Sequence, residues 1–293
     1  MEIKTRASSL ISLLALVFVL FQLSLSASAE TKSAAEIYFF IIYPGGPAPD
    51  KEGEKLVSQF IETVAEMTEL DPKILRGEYF NETSKAVKFI EKNRDAYIMG
   101  SLAFFLSQRR NLSITPLATV KLTDSPDEQY YIIVQKGKYT SLEQLKGKTL
   151  SGNALYEDHR FINALIFDGK LDVNAYFSLK PTLRPLSAIR KVAKDELDAV
   201  LLDQVQYHSL QRLPLSEKVS VIYKSPPLPP LGFMMIETSK TKKYKDKISS
   251  AIVKMCDSEK GKAACRNFGL NGFEPLKTGA LDDVVKKYET GGK

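Results

Sequence analysis

The chain has 293 residues and a net charge of +6, from 41 Lys and Arg against 35 Asp and Glu. Hydrophobic residues make up 44% and charged residues 26%, a globular composition that excludes a disordered, collagen-like or mainly membrane-embedded chain. Two cysteines are too few for a disulfide-dense scaffold, and there is no Trp to serve in recognition.

Residues 1–29 read as a secretory leader. Lys4 and Arg6 give a basic start, Leu13–Phe21 is unbroken apolar, and Ala27-Ser28-Ala29 supplies small residues for cleavage before Glu30. A spanning helix needs roughly 20 apolar residues, and Gln22, Ser24 and Ser26 interrupt this stretch too early. No cysteine lies near the cleavage site, so a lipoprotein anchor is excluded. The expected location is therefore periplasmic. Without the leader, which carries Lys4 and Arg6 against Glu2, the net charge falls from +6 to +5. The basic clusters at Lys240–Lys247 and Lys286-Lys287 are interleaved with other residues at helical spacing. They read as solvated helix faces, not as a nucleic-acid surface.

Along the mature chain, strands and helices alternate. Ile37–Tyr43 is a continuous apolar run, as expected for a strand buried on both faces of a parallel sheet. A turn follows at Pro44–Pro47. Val57, Phe60, Ile61 and Val64 mark a helix that Asp71-Pro72 ends. Lys73–Glu78 is a strand, Thr83 or Ser84 caps the next helix, and Asp95–Gly100 is a strand from which Ser101 opens another helix. Asn111–Lys121 is extended, and a turn at 124–127 leads to a strand at Tyr130–Val134.

A second alternation follows. Lys148–Leu150, Asn174–Leu179, Leu197–Leu202 and Val219–Tyr223 read as strands; Asp158–Phe167, the stripe Leu186, Ile189, Val192, and Gln204–Leu210 read as helices. Four prolines between Ser225 and Pro230 form a stiff connector. Leu231–Ile236 is a strand, and helices follow around Ile248–Met255 and Val284–Tyr288.

Two α/β units joined by two connectors imply two lobes. Residues 30–126 and 228–293 form the first, and 127–227 the second, inserted lobe. Each is expected to be a mostly parallel sheet flanked by helices, with a two-strand hinge between them. Their strand ends would face a ligand cleft. In an oxidising compartment, Cys256 and Cys265, nine apart, are expected to form a local disulfide. There is no haem signature or second pair of zinc ligands, so neither metal nor cofactor is expected. No G-x-S-x-G, P-loop or H-E-x-x-H occurs, and an enzyme is not expected.

Four stretches, in order, carry a resemblance to a known family: AYIMGSLAFF (96–105), SLEQLKGKTLSG (141–152), SAIRKVAKDELDAVLLDQVQY (187–207) and YKSPPLPPLGFMMIE (223–237). The chain resembles type 2 periplasmic substrate-binding proteins, specifically the phosphate/phosphite/phosphonate-type binding proteins of ABC transporters. The resemblance implies a monomer that closes on a small anion or zwitterion and presents it to a membrane permease. A ligand-sensing component docking to a receptor, or an enzyme on the same fold, are the alternative roles such a fold supports.

The chain departs from this family in one place. Members typically carry a Ser-Thr-Ser-Gly-like run after the second lobe's first parallel strand; here Ser151-Gly152-Asn153-Ala154-Leu155-Tyr156-Glu157-Asp158-His159 stands instead. Glu157 and Asp158 put negative charge where an anion wants none. The candidate ligand residues are Tyr43 in the lip Tyr43–Ala48, then Tyr79, Asn81, Thr83, Ser84 and Ser101 in the first lobe. In the second they are Ser151, Asn153, Tyr156 and Asp203. A pair of cleft carboxylates at Asp158 and Asp203 would favour a cationic or zwitterionic ligand. His159 reads as structural, and Phe39, Phe40, Phe104 and Phe105 as core.

Overall fold

The structure, a computed structural model, describes residues 36–46, 51–122, 127–267 and 270–291. The expected leader at 1–29, Pro47-Ala48 of the first lip and residues 124–126 of the first connector lie outside them.

The first sheet has six strands in the order β11-β4-β10-β3-β1-β2. These are β1 (Ile37–Ile42), β2 (Leu75–Phe80), β3 (Ala96–Met99), β4 (Ile114–Lys121), β10 (Leu231–Ile236) and β11 (Gly272–Pro275). The second sheet has the order β7-β6-β8-β5-β9, built from β5 (Tyr131–Gln135), β6 (Thr149–Gly152), β7 (Ser178–Pro181), β8 (Ala199–Leu202) and β9 (Val219–Lys224). The α/β alternation and the two lobes are as the sequence implied.

The sheets are mixed, however, not mostly parallel. β2-β1-β3 and β7-β6-β8 form parallel cores. In contrast, β10 runs antiparallel to β3 and β4, β11 to β4, and β5 to β8 and β9. A helical crossover forces the parallel direction. β5 and β10 instead arrive from the opposite lobe through the hinge connectors, so no crossover constrains them. The hinge is a pair of antiparallel segments in which Glu128 and Leu228 exchange backbone bonds of 2.8 and 2.9 Å.

Helices cover the sheets. In the first lobe these are α1 (Lys51–Thr68), α2 (Thr83–Lys92), α3 (Leu102–Gln108), α8 (Ser239–Lys254) and α9 (Glu259–Asn267). In the second they are α4 (His159–Phe161, continuing as a π-helix over Ile162–Ile166), the single turn α5 (Val173–Tyr176), α6 (Pro185–Ala193) and α7 (Gln204–Gln211). α10 (Asp282–Thr290) ends the described chain.

Two local expectations fail. Residues 173–176 are helical, because the Asp172 carboxylate accepts from Asn174 N–H at 2.9 Å and caps a turn before the strand can begin. Neither Thr83 nor Ser84 caps α2: Glu82 occupies the cap without a side-chain bond and pairs with Lys85 at 2.6 Å. The sequence reading also missed α9 and β11.

The core is rich in aromatics and falls into three clusters. Phe39 of β1 stacks on Tyr97 of β3, and Tyr97 on Phe233 of β10, at centroid distances of 5.4 and 5.8 Å. Such pairs add about 0.5–1.5 kcal/mol each beyond area burial. The Tyr97 hydroxyl donates to the Thr241 carbonyl at 2.6 Å, so its one polar atom is satisfied. Phe40, Phe104 and Phe105 are buried, as expected. Buried apolar residues of both lobes, among them Phe104, Tyr130, Leu155 and Phe161, form one cluster beneath the hinge. Cys256 and Cys265 form a disulfide with Cα atoms 5.8 Å apart.

Candidate functional site

The parallel strands of both lobes end at the same place. β1 runs out into Tyr43-Pro44-Gly45-Gly46, whose turn is closed by Gly46 N–H donating to the Tyr43 carbonyl at 2.9 Å. Gly45 N–H donates to the Asn81 carbonyl at 3.2 Å, which ties this lip to the end of β2. Gly45 has a φ of +69°, and a Cβ there would lie 2.6 Å from the Tyr156 ring and 2.7 Å from the Asn153 carbonyl. Both contacts are with the second lobe, so only glycine lets the two lips approach this closely.

β6 ends at Gly152, where a Cβ would stand 2.4 Å from the Leu201 carbonyl. Asn153 follows and is buried. Its Nδ2 donates to the Tyr43 hydroxyl at 3.3 Å, a bond between the lobes. Its Oδ1 accepts from Gln206 Nε2 at 2.9 Å. Tyr43 is 44% exposed as a residue. Burial of its hydroxyl, together with the nearby Asp203 charge, still pushes its pKa up to about 12. Tyr79 presents its hydroxyl beside Gly46. Tyr156 is 42% exposed and stands at the rim.

Behind these residues lies a set of carboxyl groups. Asp203 caps α7, accepting from Gln206 N–H at 2.8 Å, and burial raises its pKa to about 6. Glu128, in the hinge, accepts from the Tyr130 hydroxyl at 3.1 Å; burial and the charge of Asp203 raise it to about 7. Glu157, in the loop after β6, is raised to about 8 by burial, with Glu128 and Asp158 adding to the effect. The Ser101 hydroxyl, at the start of α3 in the first lobe, bonds to Glu157 and works the other way. Tyr130 is raised by burial and by all three carboxylates, which places the four groups in one cluster. Among the described residues, no cation is one of the groups that set the ionisation of Glu128, Glu157 or Asp203.

The structure thus brings together Tyr43, Tyr79, Asn81, Ser101, Asn153, Tyr156 and Asp203 from the sequence candidates. It does not bring in the others. The Ser151 hydroxyl donates to the Lys180 carbonyl at 2.6 Å across the β6–β7 pairing. Thr83 and Ser84 lie in the first turn of α2, with Ser84 exposed and neither bonded to the other candidates. Asp158 turns away: it caps α4 and accepts from the Tyr288 hydroxyl at 2.6 Å. The His159 ring bonds to the Leu155 carbonyl at 3.2 Å, a structural role.

Sequence reasoning missed Glu128, Tyr130 and Gln206 as site residues, and noticed Glu157 only as an unwelcome charge. Among the described residues no group of His, Cys, Asp or Glu is arranged to hold a metal. A surface depression lined by Lys121, Cys256, Phe273 and Lys277 lies at the β11 edge, away from these strand ends.

Two hinged α/β lobes whose strand ends converge on a polar cluster define a solute-binding protein of the periplasmic type. Residues 46–280 match the family of ABC transporter phosphonate periplasmic substrate-binding proteins, and the chain belongs to that family. No curated protein matches the chain in sequence.

Solved structures share the fold. A Xanthomonas citri protein bound to ATP has a TM-score of 0.68 at 15% identity, covering 88% of this chain and 98% of its own. The binding-protein component of an ABC phosphonate transporter from Pseudomonas aeruginosa has a TM-score of 0.66 at 13% identity, covering 88% and 87%. PhnD1 from Prochlorococcus marinus, in complex with methylphosphonate, has a TM-score of 0.64 at 11% identity, covering 87% and 98%. The family is one of transport binding proteins. Among the described residues no helix is long and apolar enough to cross a membrane.

Proposed function

We propose that this chain captures a small solute bearing a cationic amine, free or as the positive end of a zwitterion, and delivers it to the permease of an ABC transporter. The observation that carries this reading is the cluster of Glu128, Glu157 and Asp203, each only partly exposed where the lobes meet, with no cation among the described residues acting on their ionisation. Carboxyl groups so placed share protons at neutral pH, because each ionised neighbour disfavours the next. An ammonium group brought among them would let them ionise and would gain charge-assisted hydrogen bonds. A bare oxyanion would oppose that ionisation and would meet like charge wherever the cluster is ionised. The hydroxyls of Tyr43, Tyr79 and Ser101 offer polar contacts to the solute's other, anionic or neutral, end.

We propose further that the chain is exported by a cleaved leader at 1–29 and acts as a monomer. Residues 30–126 with 228–293, and residues 127–227, close as two lobes about the hinge. Closure presents both lips to the permease.

Thermal unfolding with a matched pair of solutes tests the reading. 2-Aminoethylphosphonate and methylphosphonate share an anionic end and differ in the amine. The amine-bearing member is expected to raise Tm by about 5–10 °C at a hundred times its Kd. Methylphosphonate and inorganic phosphate at the same concentration are expected to give less. A larger shift with methylphosphonate would reject the cationic reading.

A further inference from the structure

Gln206 ends a hydrogen-bonded chain that crosses the cleft. The chain runs from the Tyr43 hydroxyl to Asn153 at 3.3 Å and from Asn153 to Gln206 Nε2 at 2.9 Å. Gln206 N–H is held by Asp203 at 2.8 Å, so both the backbone and the amide nitrogen of this residue are fixed. Its remaining polar atom, Oε1, is shielded from solvent and accepts no hydrogen bond. Buried acceptors are nearly always partnered, and one left alone calls for an explanation. The orphaned oxygen belongs to the residue whose backbone N–H is capped by Asp203, one of the three carboxylates.

We infer that Gln206 is a specificity-determining residue whose Oε1 accepts a hydrogen bond from an N–H of the captured solute. This rests on the proposed capture of an amine-bearing solute. The acceptor is pre-organised, since turning this amide alone would set Oε1 against Asn153 Oδ1, acceptor to acceptor. Turning both amides would present an NH₂ group and favour an oxyanion, the opposite selectivity. As it stands, Gln206 adds an acceptor to a site of carboxylates and rejects oxygen-rich anions by leaving acceptors facing one another.

The test is calorimetric titration of the full chain and two variants with 2-aminoethylphosphonate and with methylphosphonate. The wild type is expected to prefer the amine. Gln206→Leu, which removes the acceptor, is expected to weaken the amine probe about ten- to hundredfold and methylphosphonate less than about threefold. Gln206→Glu keeps the shape but loses the donor to Asn153 Oδ1; with Asn153 turned, its Nδ2 donates to the new carboxylate and its Oδ1 accepts from the Tyr43 hydroxyl, and this variant is expected to bind the amine probe at least as tightly as wild type. If the amine is preferred but Gln206→Leu changes neither probe, or weakens both equally, the assignment of Gln206 falls and the capture reading stands. If Gln206→Glu loses the amine probe, the assignment falls likewise. If the wild type prefers methylphosphonate or binds neither probe, the capture reading fails and the role of Gln206 with it.

Discussion

Tyr43 and Asn153 stand 110 residues apart in the chain and meet through a 3.3 Å hydrogen bond that joins the two lobes. The bond forms at the mouth of the cleft, beside Gly45, and it leaves the side-chain oxygen Oδ1 of Asn153 to accept from Gln206. Tyr43→Phe removes the hydroxyl while keeping the half-exposed ring. The expected outcome is a loss of about tenfold in solute affinity, for one hydrogen bond in a desolvated site, with Tm of the free protein nearly unchanged. Paired calorimetry and thermal unfolding check it.

Gly45→Ala strikes the same contact sterically. The new methyl meets the Asn153 carbonyl and the Tyr156 ring, and the residue must also hold a φ of +69°. The lips are then kept apart. Small-angle scattering is expected to show a larger radius of gyration than wild type, and binding is expected to weaken together with it.

The free protein's stability depends on pH through the carboxyl cluster. Burial raises Asp203 to about 6, Glu128 to about 7 and Glu157 to about 8, all above ordinary carboxylates. The folded state therefore binds more protons than the unfolded one between about pH 4 and pH 8. The stability these groups contribute is fully present below pH 4 and is lost as pH rises through their folded values. Asp198, lowered to about 2 by hydrogen bonds from Tyr139 and Thr149 that outweigh its burial, acts only in acid. Tm is thus expected to fall from pH 5 to pH 8. The variant Glu157→Gln is expected to flatten that fall.

The disulfide closes a short loop. Cys256 and Cys265 are nine apart, and the chain-entropy account gives about 2–3 kcal/mol for such a closure. Replacing both with Ser is expected to lower Tm by about 5–10 °C. Thiol labelling of the denatured wild type is expected to find no free thiol.

The last helix, within the segment 228–293, is held by side chains of both lobes. Arg160 donates to the Tyr288 carbonyl at 2.9 Å and to the Glu289 carbonyl at 2.6 Å, and its guanidinium lies over the Tyr288 ring. Arg110, in the loop after α3, reaches Glu289 at 2.6 Å. Arg160→Ala is expected to lower Tm by about 2–4 °C, for roughly 1 kcal/mol from a largely exposed contact. Hydrogen exchange is expected to accelerate along residues 282–290.

The parts of the molecule written in local pattern were legible from the sequence. Continuous apolar runs such as Ile37–Ile42 and Ala199–Leu202 marked the parallel cores, and the prolines around 226–230 marked the hinge. Strand direction was not legible, because a fully buried strand such as β10 carries the same apolar run whichever way it points. Ser151 looked like a ligand residue, but the β6–β7 register aims its hydroxyl at the Lys180 carbonyl. Glu128 sits in a connector with no motif around it. Only the hinge brings it to Asp203 and Glu157, which lie far along the chain. Gln206 read as one more polar helix residue, and its orphaned oxygen exists only once Asn153 holds the other end of the amide.

The central claim is that the cleft is built for positive charge. The most direct measurement is the Kd of 2-aminoethylphosphonate between pH 5.5 and pH 8.5, with proton release read from the buffer dependence of the binding enthalpy. As the cluster ionises over the range set by values of about 6, 7 and 8, the amine is expected to bind more tightly with rising pH and to release protons on binding. Affinity that falls with rising pH, accompanied by proton uptake, would contradict the claim and mark the site as one for an anion.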